Sequence, residues 1–210
     1  MATLDLITLA EGRDAINVPQ EPTATDAEAA RFITAVSLRI DDICGPVVRR
    51  AVTGEQHDGH GRHQIALHVP YATSASSVVE YDHTTATTLT AETNAIKPAD
   101  GYLLDPVGRY GELVWLRRRC GSIDGRFPHG RRNVEVSYTA GRAADTLQVP
   151  VDFKVAAGSI LRRLWQRDQG AWARAQDPFD TGGAMLGFYK AVDPMVHEFL
   201  GDHIRTPAVA

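Results

Sequence analysis

The sequence has few cysteines, little net charge and no long apolar run, and each shortage excludes a class of protein. Its 210 residues include only two cysteines, Cys44 and Cys120, which are too few for a disulfide framework. We interpret them as two reduced thiols in preference to a single bridge. The formal charge of −4 gives no overall signal for nucleic acid or for an anionic membrane. A run of about eighteen apolar residues, as a transmembrane helix requires, is missing, so we expect no membrane partner.

The motifs of the common enzyme families are missing as well. The sequence has no P-loop, no G-x-S-x-G and no G-x-G-x-x-G. Cys44 falls at the carboxyl end of a predicted helix, the wrong end of the helix dipole for an activated thiolate. The first residues carry acids and lack a basic segment before an apolar run, so we expect no signal peptide. The sequence therefore predicts a soluble protein of a reducing compartment that is not an enzyme and uses no cofactor.

Two helices are predicted before any strand. Thr8 with Glu11 is a capping-box pattern, which opens a short helix. Thr25 with Glu28 repeats the pattern and opens a longer helix that ends at Gly45. Apolar side chains recur along this second helix at helical spacing, so one of its faces is expected to be buried.

The middle of the chain alternates apolar and polar residues with the period of two that is typical of strands. Val134, Val136 and Tyr138 are the clearest example, and Gly141 after them can adopt the positive φ that ends the strand. The other predicted strands are residues 47–53, 63–69, 77–81, 102–104 and 113–116, with a further strand or hairpin arm in the threonine-rich stretch 83–94.

A third helix is predicted after these strands. Pro150 suits its first turn, where the missing N–H would be unpaired anyway, and apolar residues recur from Phe153 to Leu164. Residues 170–183 are predicted to be mobile, and Asp193 with Pro194 opens a short final helix.

This order of elements predicts an α+β fold, in which N- and C-terminal helices form a small helical bundle around a β-rich central insertion. The predicted regions are the N-terminal helices at 1–46, the β-rich region at 47–141, the C-terminal core helix at 142–169 and a partner-docking segment at 170–210.

A histidine-rich stretch contains His57, Asp58, His60 and His63. Imidazole and carboxylate groups bind zinc, but this spacing matches no zinc knuckle and places no histidine pair at i, i+4 of a predicted helix. Asp58 is followed by Gly59, and this dipeptide is a strong hairpin turn. We favour a solvated hairpin tip over adventitious metal binding, and both over a functional metal site.

Arginines are concentrated between residues 117 and 132, where Asp124 is the single acidic residue. Glycines and a proline break this stretch, so it is predicted to be a long loop. An exposed loop that aids solubility is the preferred interpretation. The alternative is a path for DNA or an acidic partner, since arginine attracts phosphate without sequence preference. The arginines are Arg117, Arg118, Arg119, Arg126, Arg131 and Arg132.

Large apolar side chains gather near the C-terminus, among glycines and a proline. Ordinary core packing and docking on a partner explain them equally well, because apolar anchors are costly to leave exposed. They are Trp172, Phe179, Met185, Leu186, Phe188 and Tyr189.

Taken in order, these segments resemble the head–tail connector, or adaptor, proteins of long-tailed, siphovirus-type bacteriophages. That family has a Leu-Thr-Leu-x-Glu helix, an acid-started second helix, a β-rich insertion, a Val-x-Tyr-x-Ala-Gly strand and a Val-Pro-x-Asp helix that ends in tryptophan. The matching residues here are 8–11, 26–45, 136–141 and 149–165, and the resemblance covers most of residues 6–169.

The resemblance implies a structural virion protein at the head–tail junction, made in the host cytoplasm. Such adaptors form a homo-oligomeric ring, commonly of twelve copies, between the portal protein and a stopper, or head-completion, protein. Genomic DNA passes through the ring without sequence-specific binding. The resemblance offers no catalytic or metal-binding residues. On this basis we hypothesise that the arginines of residues 117–132 lie near the channel or a neighbouring subunit, and that residues 172–200 dock on the portal.

Three other interpretations stay open. The histidine-rich and threonine-rich stretches are not part of the family pattern, which leaves room for another head-completion, stopper-like protein with the same helices. A small metal-dependent enzyme would use His57, His60 and His63 together with Asp58. A host-encoded β module that binds carbohydrate or protein fits the central strands but not the two capped helices in front of them.

Overall fold

A computed structural model of the chain describes residues 4–19, 25–108, 111–174 and 198–203. The chain has an α+β fold, as the sequence predicts, and divides into two compact units. Unit 1 combines Met1–Val48 with Arg142–Ala210, and unit 2 is Arg49–Gly141. Within the described ranges, no helix is long and apolar enough to cross a membrane.

The described part of unit 1 includes the helices α1 (Leu9–Ile16), α2 (Asp26–Cys44) and α3 (Val151–Arg174). Each helix packs against the other two, and they share one apolar core. Helix α3 continues past Gly170, so the prediction that residues 170–183 form a mobile segment is wrong for 170–174. A single glycine inside a helix costs only about 1 kcal/mol relative to alanine, which is too little to end it. The described end of the chain is helical at residues 198–200 and closes in a 3₁₀ turn, Gly201–His203.

The two predicted capping boxes have different outcomes. Thr8 caps α1 as predicted: its side chain accepts a hydrogen bond from the Glu11 N–H, and the Glu11 carboxylate accepts one from the Thr8 N–H. Thr25 makes no side-chain cap bond to α2, so the second capping box is wrong. Its backbone is already in the helical region, at φ −84° and ψ −5°, whereas a capping side chain needs an extended backbone.

Unit 2 consists of two β-sheets. The first has the strand order β1-β9-β3-β4, and the second has the order β2-β7-β6-β5, with β8 paired to β7. All pairings are antiparallel except that of β5 with β6. The strands are β1 (Arg50–His57), β2 (Gln64–Ala66), β3 (Ala72–Asp82), β4 (Thr85–Thr88), β5 (Thr90–Ala91), β6 (Gly101–Val107), β7 (Leu113–Cys120), β8 (Ile123–Asp124) and β9 (Val134–Ala140).

Both sheets of unit 2 contribute to one core. Val136 and Tyr138 of β9 are buried together with Leu116 of β7 and Tyr102 of β6. The alternation that predicted β9 is therefore the alternation of core and surface, and Gly141 ends the strand at φ 136° as expected.

The predicted loop at residues 117–132 is wrong in its first part. Strand β7 continues through Arg117, Arg118 and Arg119 to Cys120, and β8 follows after a short turn. The strand persists because its alternation of buried and half-buried side chains continues through the arginines, with Arg118 on the buried side.

The predicted hairpin tip at Asp58 is wrong as well. Strand β1 pairs with β9 in the first sheet, whereas β2 pairs with β7 in the second. Residues 58–63 therefore connect two sheets, and β1 runs on through Gly54 to His57 where a loop was predicted.

The two cysteines are free. Cys44 is buried in the core of unit 1, and burial raises the pKa of its thiol to about 11. Cys120 is exposed at the end of β7 in unit 2.

Candidate functional site

The predicted arginine cluster separates into a paired group on β7 and an exposed group in the segment after β8. Arg117, Arg118 and Arg119 lie on β7, whereas Arg126, Arg131 and Arg132 follow β8. The two groups differ in burial and in hydrogen bonding, so each is described separately.

Arg118 is the buried member of the paired group. Its Nε and Nη2 donate to the two carboxylate oxygens of Glu80 on β3 at 3.0 and 2.8 Å, and Nη2 also donates to Asp100 at 2.7 Å. Both Arg118 and Glu80 have side chains that are 9% exposed. Burial lowers the pKa of Arg118, but its bonds to the two carboxylates outweigh this and raise the pKa. This guanidinium therefore links β7 of one sheet to β3 of the other, and its burial makes it unavailable to a second protein or to DNA.

The other two arginines of β7 have acidic partners within unit 2. Arg119 forms ion pairs with Glu92 and Asp124, and Arg117 with Asp105. Their charge is therefore largely compensated locally, which the count of charges between residues 117 and 132 did not reveal.

The segment after β8 presents three exposed arginines. Arg126 donates from Nη1 to the Gly61 carbonyl at 3.0 Å. Arg132 has a left-handed backbone, at φ 50°, and its N–H donates to Asp58 at 2.7 Å. This N–H is the main cause of a lowered pKa at Asp58, with smaller contributions from His60 and Arg131. These bonds fix the backbone at residues 58 and 132 and leave the guanidinium groups of Arg131 and Arg132 exposed.

A cavity of about 640 Å³ lies beside this exposed group. Three arginines contribute to its lining, against Asp124 as its single carboxylate. Trp115 adds an aromatic surface, so the lining suits an anionic group with a flat or apolar part. The lining residues are His60, Gly61, Arg62, His63, Gln64, Trp115, Arg117, Asp124 and Arg126.

The three histidines that sequence analysis grouped do not form a ligand set. The Nε2 atom of His57 lies 2.6 Å from the Glu55 carboxylate, and that of His60 lies 3.3 Å from Asp58. His63 is bonded through Nδ1 to the Gly125 carbonyl at 2.8 Å. The metal site proposed for an enzyme with His57, His60 and His63 is therefore not formed.

A different set of side chains does come together, namely Glu55, His57 and His68. One ligand atom from each lies within 4.8 Å of the others. Sequence analysis missed this set because β1 has a bulge between Val52 and Glu55, where Gly54 has φ 65°. The bulge shifts the alternation by one residue and places Glu55 on the face that Val52 occupies. Gly54 directly after the predicted strand 47–53 was the available signal, since a glycine within a strand often marks a bulge.

The carboxylate of Glu55 is held firmly. Its Oε2 accepts a hydrogen bond from the Tyr138 hydroxyl at 2.7 Å, and its Oε1 accepts one from the His68 N–H at 2.9 Å. Burial raises the pKa of Glu55, but hydrogen bonds from His57, the His68 backbone and Tyr138 outweigh it and lower the pKa to about 2. Glu55 is therefore an anion throughout the physiological range.

The predicted portal-docking residues lie outside what the structure describes. Trp172 falls on the backbone of α3, but its side chain is not described. The other predicted docking residues lie entirely outside the described ranges, namely Phe179, Met185, Leu186, Phe188 and Tyr189.

No family model and no curated protein matches the chain, whereas chains of several solved structures are similar to it. It is similar to a chain from the neck of an empty GTA particle computed with C6 symmetry, at 18% identity and a TM-score of 0.49, covering 93% of this chain and 92% of that chain. It is also similar to a chain from the virion of a native gene transfer agent (GTA) particle, at 19% identity and a TM-score of 0.47, covering 90% and 89%. A chain from the neck of a native GTA particle computed with C12 symmetry gives 17% identity and a TM-score of 0.45, covering 100% and 98%.

Proposed function

We propose that this chain is a head-to-tail adaptor, a structural protein of the virion that acts at the head–tail junction. It forms a ring beneath the portal protein, extends the DNA channel and connects the capsid to the stopper and tail. The main support is the organisation of the chain, in which two segments distant in sequence build one helical unit and a β-rich unit is inserted between them.

The two segments of unit 1 meet at the point of insertion. The Val47 carbonyl accepts hydrogen bonds from the N–H groups of Arg142 and Ala143, both at 2.8 Å, and Val48 forms a parallel bridge with Ala143. The chain thus leaves and re-enters unit 1 at one place. This is the arrangement that the adaptor resemblance implies, with a helical frame that continues on both sides of a β-rich insertion.

The residues that carry the resemblance also have definite structural roles. Thr8 caps α1, and Gly141 ends β9. Trp165 packs edge-on against Phe32 of α2, with ring centroids 5.9 Å apart and planes at 78°. The motifs therefore correspond to the contacts that define the helical frame, which supports their use as a family signature.

We assign the ring wall to the helices of unit 1. A ring built from one kind of subunit needs two different contact faces on each copy. Leu147 and Val151 are 74% exposed and Val155 is 48% exposed, and the two valines are one helical turn apart at the start of α3. Exposed apolar side chains grouped in this way suit a contact with a neighbouring subunit.

We assign the exposed arginines of unit 2, Arg126, Arg131 and Arg132, to the channel or to a neighbouring subunit. Their guanidinium groups attract phosphate or carboxylate without reading a base sequence, which suits genomic DNA that must slide past. Arg118 is excluded from this role by its burial, and Arg117 and Arg119 contribute less because their charges are compensated.

The proposal also assigns a role to each region that was predicted from the sequence. Residues 1–46 and 142–169 form the adaptor core, residues 47–141 the β-rich region, and residues 170–210 dock on the portal through their apolar side chains. A ring of twelve copies is the stoichiometry that the resemblance implies.

Particle assembly tests the function. A phage that lacks this protein should give no infectious particles, and the wild-type protein supplied in trans should restore them. Arg131→Glu with Arg132→Glu should reduce the yield at least about tenfold, because the reversed charges repel the DNA or an acidic neighbour.

The double change to lysine is the matched control, since it keeps both charges and should retain the yield. Normal yield without any copy of the protein would overturn the adaptor function. Normal yield with the glutamate pair would overturn only the assignment of the arginine surface.

A further inference from the structure

We propose that Glu55, His57 and His68 form a binding site for a divalent transition-metal ion of the zinc class. The site lies within unit 2 and is independent of the proposed ring contacts. Two imidazoles and one carboxylate are a ligand set that zinc accepts, with the fourth tetrahedral position left for water.

The strands place the three side chains. Glu55 and His57 are two residues apart on β1 and therefore project from the same face of the strand. The bulge before Glu55 turns this face toward the segment that connects β2 with β3, which carries His68. The site thus joins strand β1 to the segment that connects the two sheets.

The three ligand atoms lie close together. The Glu55 Oε1 atom lies 2.6 Å from His57 Nε2 and 3.5 Å from His68 Nδ1. The two imidazole rings are stacked, with centroids 4.5 Å apart and planes at 27°. A tetrahedral zinc ion with ligands at about 2.0–2.2 Å separates its ligand atoms by about 3.4 Å, so small side-chain movements bring all three into range.

The surrounding groups favour a metal site over a simple ion pair. Tyr138 donates to the far oxygen of Glu55 and itself accepts a hydrogen bond from the Val69 N–H at 3.1 Å. Such an outer contact orients the carboxylate. The near oxygen, Oε1, accepts the His68 N–H through one lone pair, and its second lone pair, which faces His57 Nε2, is the one offered to the metal.

The site is also accessible. The side chains of Glu55 and His57 are 9% and 5% exposed, whereas that of His68 is 70% exposed. The two buried ligands provide a base of low dielectric constant, and the exposed His68 ring leaves the site open to an ion from solvent. The nearest alternative is His60 with Asp58, which are 48% and 42% exposed and offer only two ligands.

Zinc titration of the full, untagged chain tests this proposal. After treatment with a chelator and its removal, the wild-type protein should bind one Zn²⁺ per chain by native mass spectrometry and calorimetry. Zinc should also raise its melting temperature, since the ion binds the folded state. His68→Ala should weaken the affinity at least about tenfold, because it removes a ligand that is exposed and not required for folding.

His60→Ala is the matched control and should bind zinc as the wild type does. Glu55→Gln is a second single variant, verified as folded by its melting curve without zinc. Like His68→Ala, it should bind zinc more weakly than the wild type. No zinc bound by the wild type, unchanged affinity in His68→Ala, or an equal loss in His60→Ala would each overturn the proposal.

Discussion

Arg118 shows how a charge that looks available in the sequence is used inside the fold. Its guanidinium contacts Glu80 at 2.8 and 3.0 Å and Asp100 at 2.7 Å, and the Glu80 side chain is only 9% exposed. A buried ion pair adds little net stability by itself, but removal of one partner leaves the other charge buried without compensation. The pair therefore fixes which face of β7 meets β3.

Substitution of Arg118 by methionine should lower the free energy of unfolding by about 3–5 kcal/mol, because Glu80 is then left without its buried partner. Urea unfolding of the full chain measures this. Arg117→Met is the matched control on the same strand, and it should cost only about 0–1 kcal/mol since its pair with Asp105 is more exposed. The double variant Arg118→Met, Glu80→Gln should be more stable than Arg118→Met alone. Equal stabilities of Arg118→Met and Arg117→Met would contradict the assignment.

At the scale of the elements, Gly12 of α1 lies directly against Ile33 of α2. A Cβ atom at residue 12 would lie 2.6 Å from Ile33 Cδ1 and 3.4 Å from Leu161 Cδ2. Ile33 and Leu161 are fully buried, so their side chains have little room to move. The missing side chain of Gly12 thus allows the three helices to share one core.

Gly12→Ala should therefore destabilise the protein by about 1–3 kcal/mol through overpacking, despite the better helix propensity of alanine. Gly158→Ala on α3 is the matched control, because its Cβ would meet only Ala15 at 3.6 Å. That change should stabilise by about 0.5–1 kcal/mol, the usual gain for alanine over glycine in a helix. Chemical denaturation compares the two. Gly12→Ala with Ile33→Val should cost less than the sum of the single changes, whereas additive costs would exclude the contact.

The sequence predicts the elements better than it predicts their partners. Three helices and β9 follow from local patterns, because apolar spacing and a cap such as Thr8 act within a few residues. The burial of Arg118 could not be predicted from such local patterns, since its partner Glu80 lies 38 residues away on another strand. The set of Glu55, His57 and His68 depends on a bulge and on a connection between two sheets, and neither is visible in the spacing of the histidines.

At the scale of the whole molecule, the proposed ring depends on apolar side chains that unit 1 leaves exposed. Val151 and Val155 lie at the start of α3, and Leu147 lies in the 3₁₀ turn before it, Thr146–Gln148. All three lie outside the core that the helices share. Association would remove this apolar surface from water, at roughly 25 cal/mol per Å². The same surface contributes little to the stability of the isolated subunit, so ring formation and folding can be separated by substitution.

Val151→Asp with Val155→Asp should abolish ring formation on the portal while it leaves the melting temperature of the subunit nearly unchanged. The folded state tolerates both changes because the side chains are exposed and because acidic residues are favourable near a helix N-terminus. Electron microscopy of the protein mixed with the portal of the same particle measures ring formation. Ile96→Asp, at a side chain that is 54% exposed in unit 2, is the matched control and should form rings as the wild type does. Rings from the double aspartate variant would show that the start of α3 is not the subunit contact, and the absence of rings from the wild type would reject the adaptor assignment itself.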